Sequence, residues 1–239
     1  MRFVRPDDEE AVLPASVLAA YTMSMFPQFS EAFRGGLKLE APTAFDLVPG
    51  ANNVAYPVAL PVADLAYGYY SYGSLYNKFP AFTEAQCTAG EKMDPPMGRV
   101  NEWGLAFPFF VVKYGIKYST KVAESECMGA TATAVAVVER LNRLLLQKCP
   151  KAQTVCNAAF SIAVGEGSAR LWITWRGDEK VYYMRRVATF DMDVDLGLRE
   201  MSLCVKKIIA WGKGACLQEI QQALEAISGA DSKDRLLAK

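Results

Sequence analysis

The sequence predicts an α/β (α+β) protein in which helices flank a central mixed β-sheet. Three observations carry this expectation. The segment FPFFVVKYGIKY (107–118) opens on four bulky residues and Val-Val, the mark of a buried strand, and turns basic at Lys113 and Lys117, with Lys121 just beyond. The segment 121–149 sets Ala130, Ala134, Val137, Val138, Leu141, Leu144 and Leu145 on one helical stripe. The segment 157–190 alternates, as at Leu171, Ile173 and Trp175, and the turn sequences GEGS and RGDEK divide it into three short strands.

The remaining elements follow along the chain. Val17, Leu18, Tyr21, Met25 and Phe29 have helical spacing within 13–33, and Pro27 kinks or ends that helix. The Gly- and Pro-punctuated stretch 35–53 reads as loop. A strand is expected at Val62–Tyr69, next to the 107–118 strand, and 73–106 reads as turn-rich. The small residues in the first half of the 121–149 helix suit close packing on a sheet, and Pro150 ends it. A last helix covers about 196–227 with an interruption at WGKGA, and the polar tail 228–239 is expected to fray. No repeat or linker divides the chain, so residues 1–239 read as a single domain: a core at about 60–227, an N-terminal helical extension at 1–55, and the tail.

Composition narrows the function. Lys+Arg and Asp+Glu both number 26, so the formal net charge is zero, without the basic excess of a dedicated nucleic-acid binder. There is no histidine, which removes Ser-His and Cys-His catalysis and histidine metal ligation. The six cysteines form no CxxC pair, so a zinc site is not expected. The charged start MRFVRPDDEEAV has no apolar signal core behind it, and no apolar run reaches the ~20 residues of a membrane span. The expectation is an intracellular protein, cytoplasmic or nuclear, with reduced thiols and no membrane partner.

Four short blocks in order then resemble a known family. ADLAYGY (63–69), PFFVVKYG (108–115), AESECMGA (123–130) and IIAWGKG (208–214) resemble the PD-(D/E)XK nuclease-like superfamily, and more closely a fungal family of nuclease-like proteins of unassigned function. That family's blocks are PD-L-x-x-G-Y, P-F-x-V-x-E-Y-K, A-E-N-Q-C-x-G-A and I-x-W-G. The resemblance covers roughly residues 60–220. It implies a restriction-endonuclease-like core with about four sheet strands, a site at one end of the sheet, and Mg²⁺- or Mn²⁺-dependent phosphodiester hydrolysis. Such an ion takes carboxylate oxygens, lowers the pKa of a bound water and neutralises charge building on the phosphate. An E-x-K on a strand puts acid and lysine on one face, because strand side chains alternate.

The sequence departs from that pattern at the decisive strand. Lys113 stands where the resemblance places the metal-binding Glu, and Gly115 where it places the lysine. Asp64 matches the first acid, with Ala63 in place of Pro. One carboxylate beside an added positive charge repels Mg²⁺, so the first reading is a catalytically degenerate nuclease-like interaction module, a pseudo-nuclease with no cofactor. Its partner is a protein or a nucleic acid that the sequence does not choose, and its oligomeric state is left open.

The second reading is an active enzyme whose site has migrated. Asp64 would then hold Mg²⁺ or Mn²⁺ with Glu124 or Glu126, and Lys117 or Lys121 would replace the lost lysine. A third is an effector-type protein that reuses the fold to bind a host partner. The candidate site is therefore Asp64, Lys113, Lys117 and Glu126, as a vestigial or a migrated centre. Each has a plainer reading. Asp64 can bond a turn, the lysines can be a solvated strand end, and Glu124 and Glu126 can favour the helix N-terminus. The tyrosines of YGYYSYGSLY can stack bases or fill core, and core is the commoner use without surrounding Lys and Arg.

Overall fold

A computed structural model of the chain describes residues 37–40, 43–45, 61–70, 81–101, 104–115, 120–165, 167–177 and 181–237. The strands are β1 (Leu37–Glu40), β2 (Thr43–Ala44), β3 (Val62–Ala63), β4 (Leu65–Tyr70), β5 (Leu105–Tyr114), β6 (Ala158–Val164), β7 (Ser168–Arg176) and β8 (Tyr182–Asp191). The helices are α1 (Glu84–Gly90), α2 (Thr120–Lys148), α3 (Asp195–Trp211) and α4 (Leu217–Leu237). Six strands form one mixed sheet in the order β1-β4-β5-β6-β7-β8, and β2 and β3 form a small ribbon. This is the expected α/β architecture with a central sheet, wider than the four strands that the resemblance implied. The 13–33 helix falls outside the described residues.

All neighbours in the large sheet run antiparallel except β5 and β6. A parallel pair needs a long crossover, and α2 is that crossover. All ten residues of β5 are buried, as its apolar run requires. The strand bends at Phe107, which has a φ of 43° ahead of Pro108, and the β4–β5 register shifts opposite it between Tyr67 and Tyr69. Gly68 sits in that shift because a Cβ there would lie 2.7 Å from the Ala106 carbonyl oxygen.

One side of the sheet takes α2. Ala123 and Cys127 pack on Ala163, and Ala134 and Val135 on Ala159, so the first half of the helix lies close over β6. Val137, Leu141 and Leu145 continue into the main core. Asn142 then clamps the segment after the helix: its side chain donates to the Val155 carbonyl (2.9 Å) and accepts from the Val155 N–H (2.8 Å). Trp211 at the end of α3 packs edge-on against Phe109 and Phe160.

The interruption expected at WGKGA is a π-helical turn: Gly212–Cys216 joins α3 to α4, and the Tyr69 hydroxyl donates to the Gly212 carbonyl at 2.7 Å. Three other local expectations change. The tail does not fray at 228, because Asp231 on α4 holds both Lys92 and, at 2.9 Å, Lys148. The 35–53 loop contributes β1 and β2, and the 73–106 stretch contains α1. Thr83 caps α1 in a reciprocal box with Gln86, and Gln86 and Gln221 tie it to α4.

Candidate functional site

The β4–β5 end of the sheet brings three of the four candidate side chains together. Asp64 breaks the predicted 62–69 strand into β3 and β4. Its N–H donates to the Val112 carbonyl at 2.9 Å, and its Oδ2 accepts from the Tyr114 N–H at 2.7 Å. The kink therefore fixes the carboxylate beside the end of β5. Lys113 is the penultimate residue of β5 and pairs in register with Ala163 of β6, which pairs with Arg170 of β7. Glu126 reaches the same place from α2.

The Lys113 ammonium is the centre of this arrangement. Its Nζ lies 2.6 Å from Glu126 Oε2, 3.6 Å from Asp64 Oδ1, and donates to the Val62 carbonyl at 2.9 Å. Lys113 is 7% exposed, so it is neither a solvated strand end nor a surface contact. The two carboxylates are more open, at 33% and 29% side-chain exposure, and the ammonium lies inward of them. Burial alone disfavours the charge. The hydrogen bond to Glu126 and the Asp64 and Glu126 carboxylates outweigh it, and hold the lysine pKa above its ordinary value.

Glu124 does not join the cluster: it accepts from Arg170 on β7 at 2.7 Å. Lys121 is exposed on the first turn of α2. Lys117 lies outside the described residues. Tyr67 and Tyr69 are fully buried, and Tyr67 stacks on Phe110 at 5.4 Å, so these two tyrosines of the cluster fill core and offer no base platform.

Sequence reading passed over Cys127, which interacts with the ammonium, and Ser161, which lies beside Cys127. Both are fully buried. Burial pushes the Cys127 thiol up to about 12, against the opposing pull of the Ser161 hydroxyl and Lys113, so it is a protonated thiol at neutral pH. It is no nucleophile and no thiolate ligand. The signal for it was AESEC, where Cys127 follows Glu126 on the α2 stripe that meets Ala163.

A divalent ion does not fit these residues as they stand. Among the described residues no group of three or more Asp, Glu, Cys or His could hold a metal ion. The two carboxylates that meet here share an ammonium, which presents positive charge where the ion would need oxygen. No helix is long and apolar enough to cross a membrane among those residues. Residues 19–224 match a family model described as Domain of unknown function (DUF7924). No curated protein and no solved structure matches the chain.

Proposed function

The chain belongs to the DUF7924 family, and we propose that this member is a catalytically degenerate PD-(D/E)XK nuclease-like protein that works as an intracellular binding module. One observation carries the reading: the Lys113 ammonium lies between Asp64 and Glu126, on the strand position where the resemblance places a metal-binding acid. Two consequences follow from the charge. The ammonium offsets the charge of the two carboxylates and repels a second cation. With its pKa held up, the lysine also carries its proton at neutral pH and cannot take one from water. The mixed sheet, the four sequence blocks and the absence of a disulfide among the six cysteines are consistent with this reading.

The test is calorimetric titration with Mn²⁺ at neutral pH. Wild type is expected to bind nothing at millimolar Mn²⁺. Lys113→Glu, which exchanges the internal cation for a third carboxylate beside Asp64 and Glu126, is expected to gain a site. Adding Gly115→Lys rebuilds E-x-K and is expected to leave that gain in place, while Gly115→Lys alone gains nothing.

A second reading has its own observation: Glu126 does reach the Asp64–Lys113 pair from α2, so two carboxylates and a lysine are in one place. That is the side-chain set of a migrated nuclease site. Micromolar Mn²⁺ binding by wild type, with Mn²⁺-dependent cleavage of duplex DNA that Glu126→Gln abolishes, would establish this enzyme and sink the degenerate reading.

A further inference from the structure

The opposite end of the sheet carries a surface of another kind. β8 is the last strand of the sheet, and among the described residues no strand pairs with its outer edge. It is ten residues long, and an exposed edge of that length offers a row of backbone N–H and C=O groups to another strand. Tyr183 and Val187 are 43% and 56% exposed along it. Val187 has no partner in β7, because the register shifts between Leu171 and Trp172.

Charge distinguishes this edge. The segment 181–190, VYYMRRVATF, contains two arginines and no acid. On the neighbouring strand Arg170 pairs with Glu124 and Arg176 with Glu139. Arg185 and Arg186 are exposed and form no ion pair among the described residues. They are adjacent on a strand, so they project to opposite faces. The Arg186 guanidinium lies 5.9 Å from the Trp172 ring centre, which steers it over one face, while Arg185 pairs in register with Ile173 on the other.

We infer that the outer edge of β8 is a docking site for an extended acidic peptide, which adds a strand to the sheet and sets adjacent carboxylates against Arg185 and Arg186. Main-chain pairing supplies the general affinity, and the two arginines select the charge. A second copy of this chain fits poorly, since antiparallel pairing about the middle of β8 brings the arginines of both copies together, and like charges on facing strands repel. Nucleic acid fits less well than peptide. The chain has no net positive charge, and the nearby rings of Trp175 and Tyr183 already stack on each other at 5.7 Å. This surface gives a partner class to the binding role proposed above, and it stands whether or not the Lys113 site has lost its chemistry.

The probe is a fluorescein-labelled peptide of ten residues, alternating Thr and Val with Asp-Glu at its centre, and its control carries Lys-Lys there. Anisotropy is expected to show the acidic peptide binding about tenfold or more tightly than the control, and weakening as salt rises. Arg185→Glu with Arg186→Glu is expected to reverse that preference. Hydrogen exchange of the wild-type complex is expected to show new protection confined to 182–191, which an ionic contact of side chains alone would not produce. Thr189, opposite Arg170 in a pair that exchanges no backbone hydrogen bonds, points its N–H outward, so Thr189→Pro removes an edge donor and is expected to lower binding about tenfold; a circular dichroism melt confirms that the variant is folded, and the double arginine variant carries the test if it is not. Equal binding of both peptides, protection elsewhere, or no binding would overturn the inference and leave the arginines as guards against edge-to-edge aggregation. Tighter binding of a dT20 oligonucleotide, or a concentration-dependent dimer that peptide does not compete with, would overturn it in favour of the other occupants. None of these readouts involves Lys113, so failure here is separate from failure in the metal titration.

Discussion

Lys113 Nζ lies 2.6 Å from Glu126 Oε2, and this contact joins the end of β5 to the first half of α2. Asp64 closes the triangle from the kink between β3 and β4. Three elements far apart in sequence therefore meet at one ammonium, in the corner where the crossover helix leaves the sheet. A lysine there contributes to the fold as well as deciding the chemistry.

Removing that ammonium tests both roles. Lys113→Met keeps the aliphatic stem but leaves Asp64 and Glu126 facing each other without a cation. The carboxylates are partly solvated, so the expected loss is below the range for a fully buried pair, about 1–3 kcal/mol in urea unfolding. Mn²⁺ is expected to recover part of this loss in the variant and to leave wild type unchanged. A variant as stable as wild type would mean that the ion pair is only as strong as a surface one.

The same lysine predicts an alkaline limit. Its folded pKa is raised above 10.5, with burial opposing and Glu126 and Asp64 prevailing. A group raised on folding contributes stability that is fully present below its unfolded pKa and is lost as pH rises through the folded value. The stability difference between wild type and Lys113→Met is therefore expected to be level from pH 7 to about 10 and to shrink only above that. A difference that collapses between pH 7 and 9 would contradict the direction of the shift.

Most of the fold was legible because its signals are periodic. The 121–149 stripe gave α2 to within one residue at each end, and alternation with two turn sequences gave β6, β7 and β8. The 62–69 and 107–118 strands are neighbours as expected. The elements that escaped are short. β1 has four residues and packs through its pairing with β4, while α1 announces itself only by the Thr83–Gln86 capping box. Of the candidate site, Asp64 was legible as an isolated acid in an apolar run, and Glu126 as an acid ahead of the α2 stripe. That Lys113 is buried between them was not legible, since a basic residue ending a strand reads as solvated. Only the register that sets Lys113 beside Ala163, under the small residues of α2, encloses it.

Thiol chemistry should follow burial. Cys156 is exposed, whereas Cys127 and Cys216 are buried and burial pushes each up to about 12. At pH 8 a disulfide reagent such as Ellman's is expected to react first at Cys156, with Cys127 and Cys216 reacting only on unfolding. Mass mapping of the labelled peptides reads this directly. Rapid labelling of Cys127 in the folded protein would mean that the space around Lys113 is open to small molecules.

A pair of hydroxyls shows how α2 is keyed to the far side of the sheet. Thr131 on α2 and Thr174 on β7 are both fully buried, with their hydroxyl oxygens 2.8 Å apart. Thr131 also donates to the Cys127 carbonyl at 2.7 Å, so its single proton is committed and Thr174 must be the donor between the two. This makes the pair asymmetric. Thr131→Val strands a buried donor on Thr174 and is expected to cost about 2 kcal/mol, while Thr174→Val leaves only an acceptor lone pair unfilled and is expected to cost about 1 kcal/mol. The double variant replaces both hydroxyls by methyls of similar size, so its loss should be smaller than the sum of the single losses by about 1 kcal/mol. Urea unfolding of the four proteins completes the cycle. Additive losses, or a larger cost for Thr174→Val than for Thr131→Val, would show that the proton between them runs the other way or that the two helix–sheet contacts act independently.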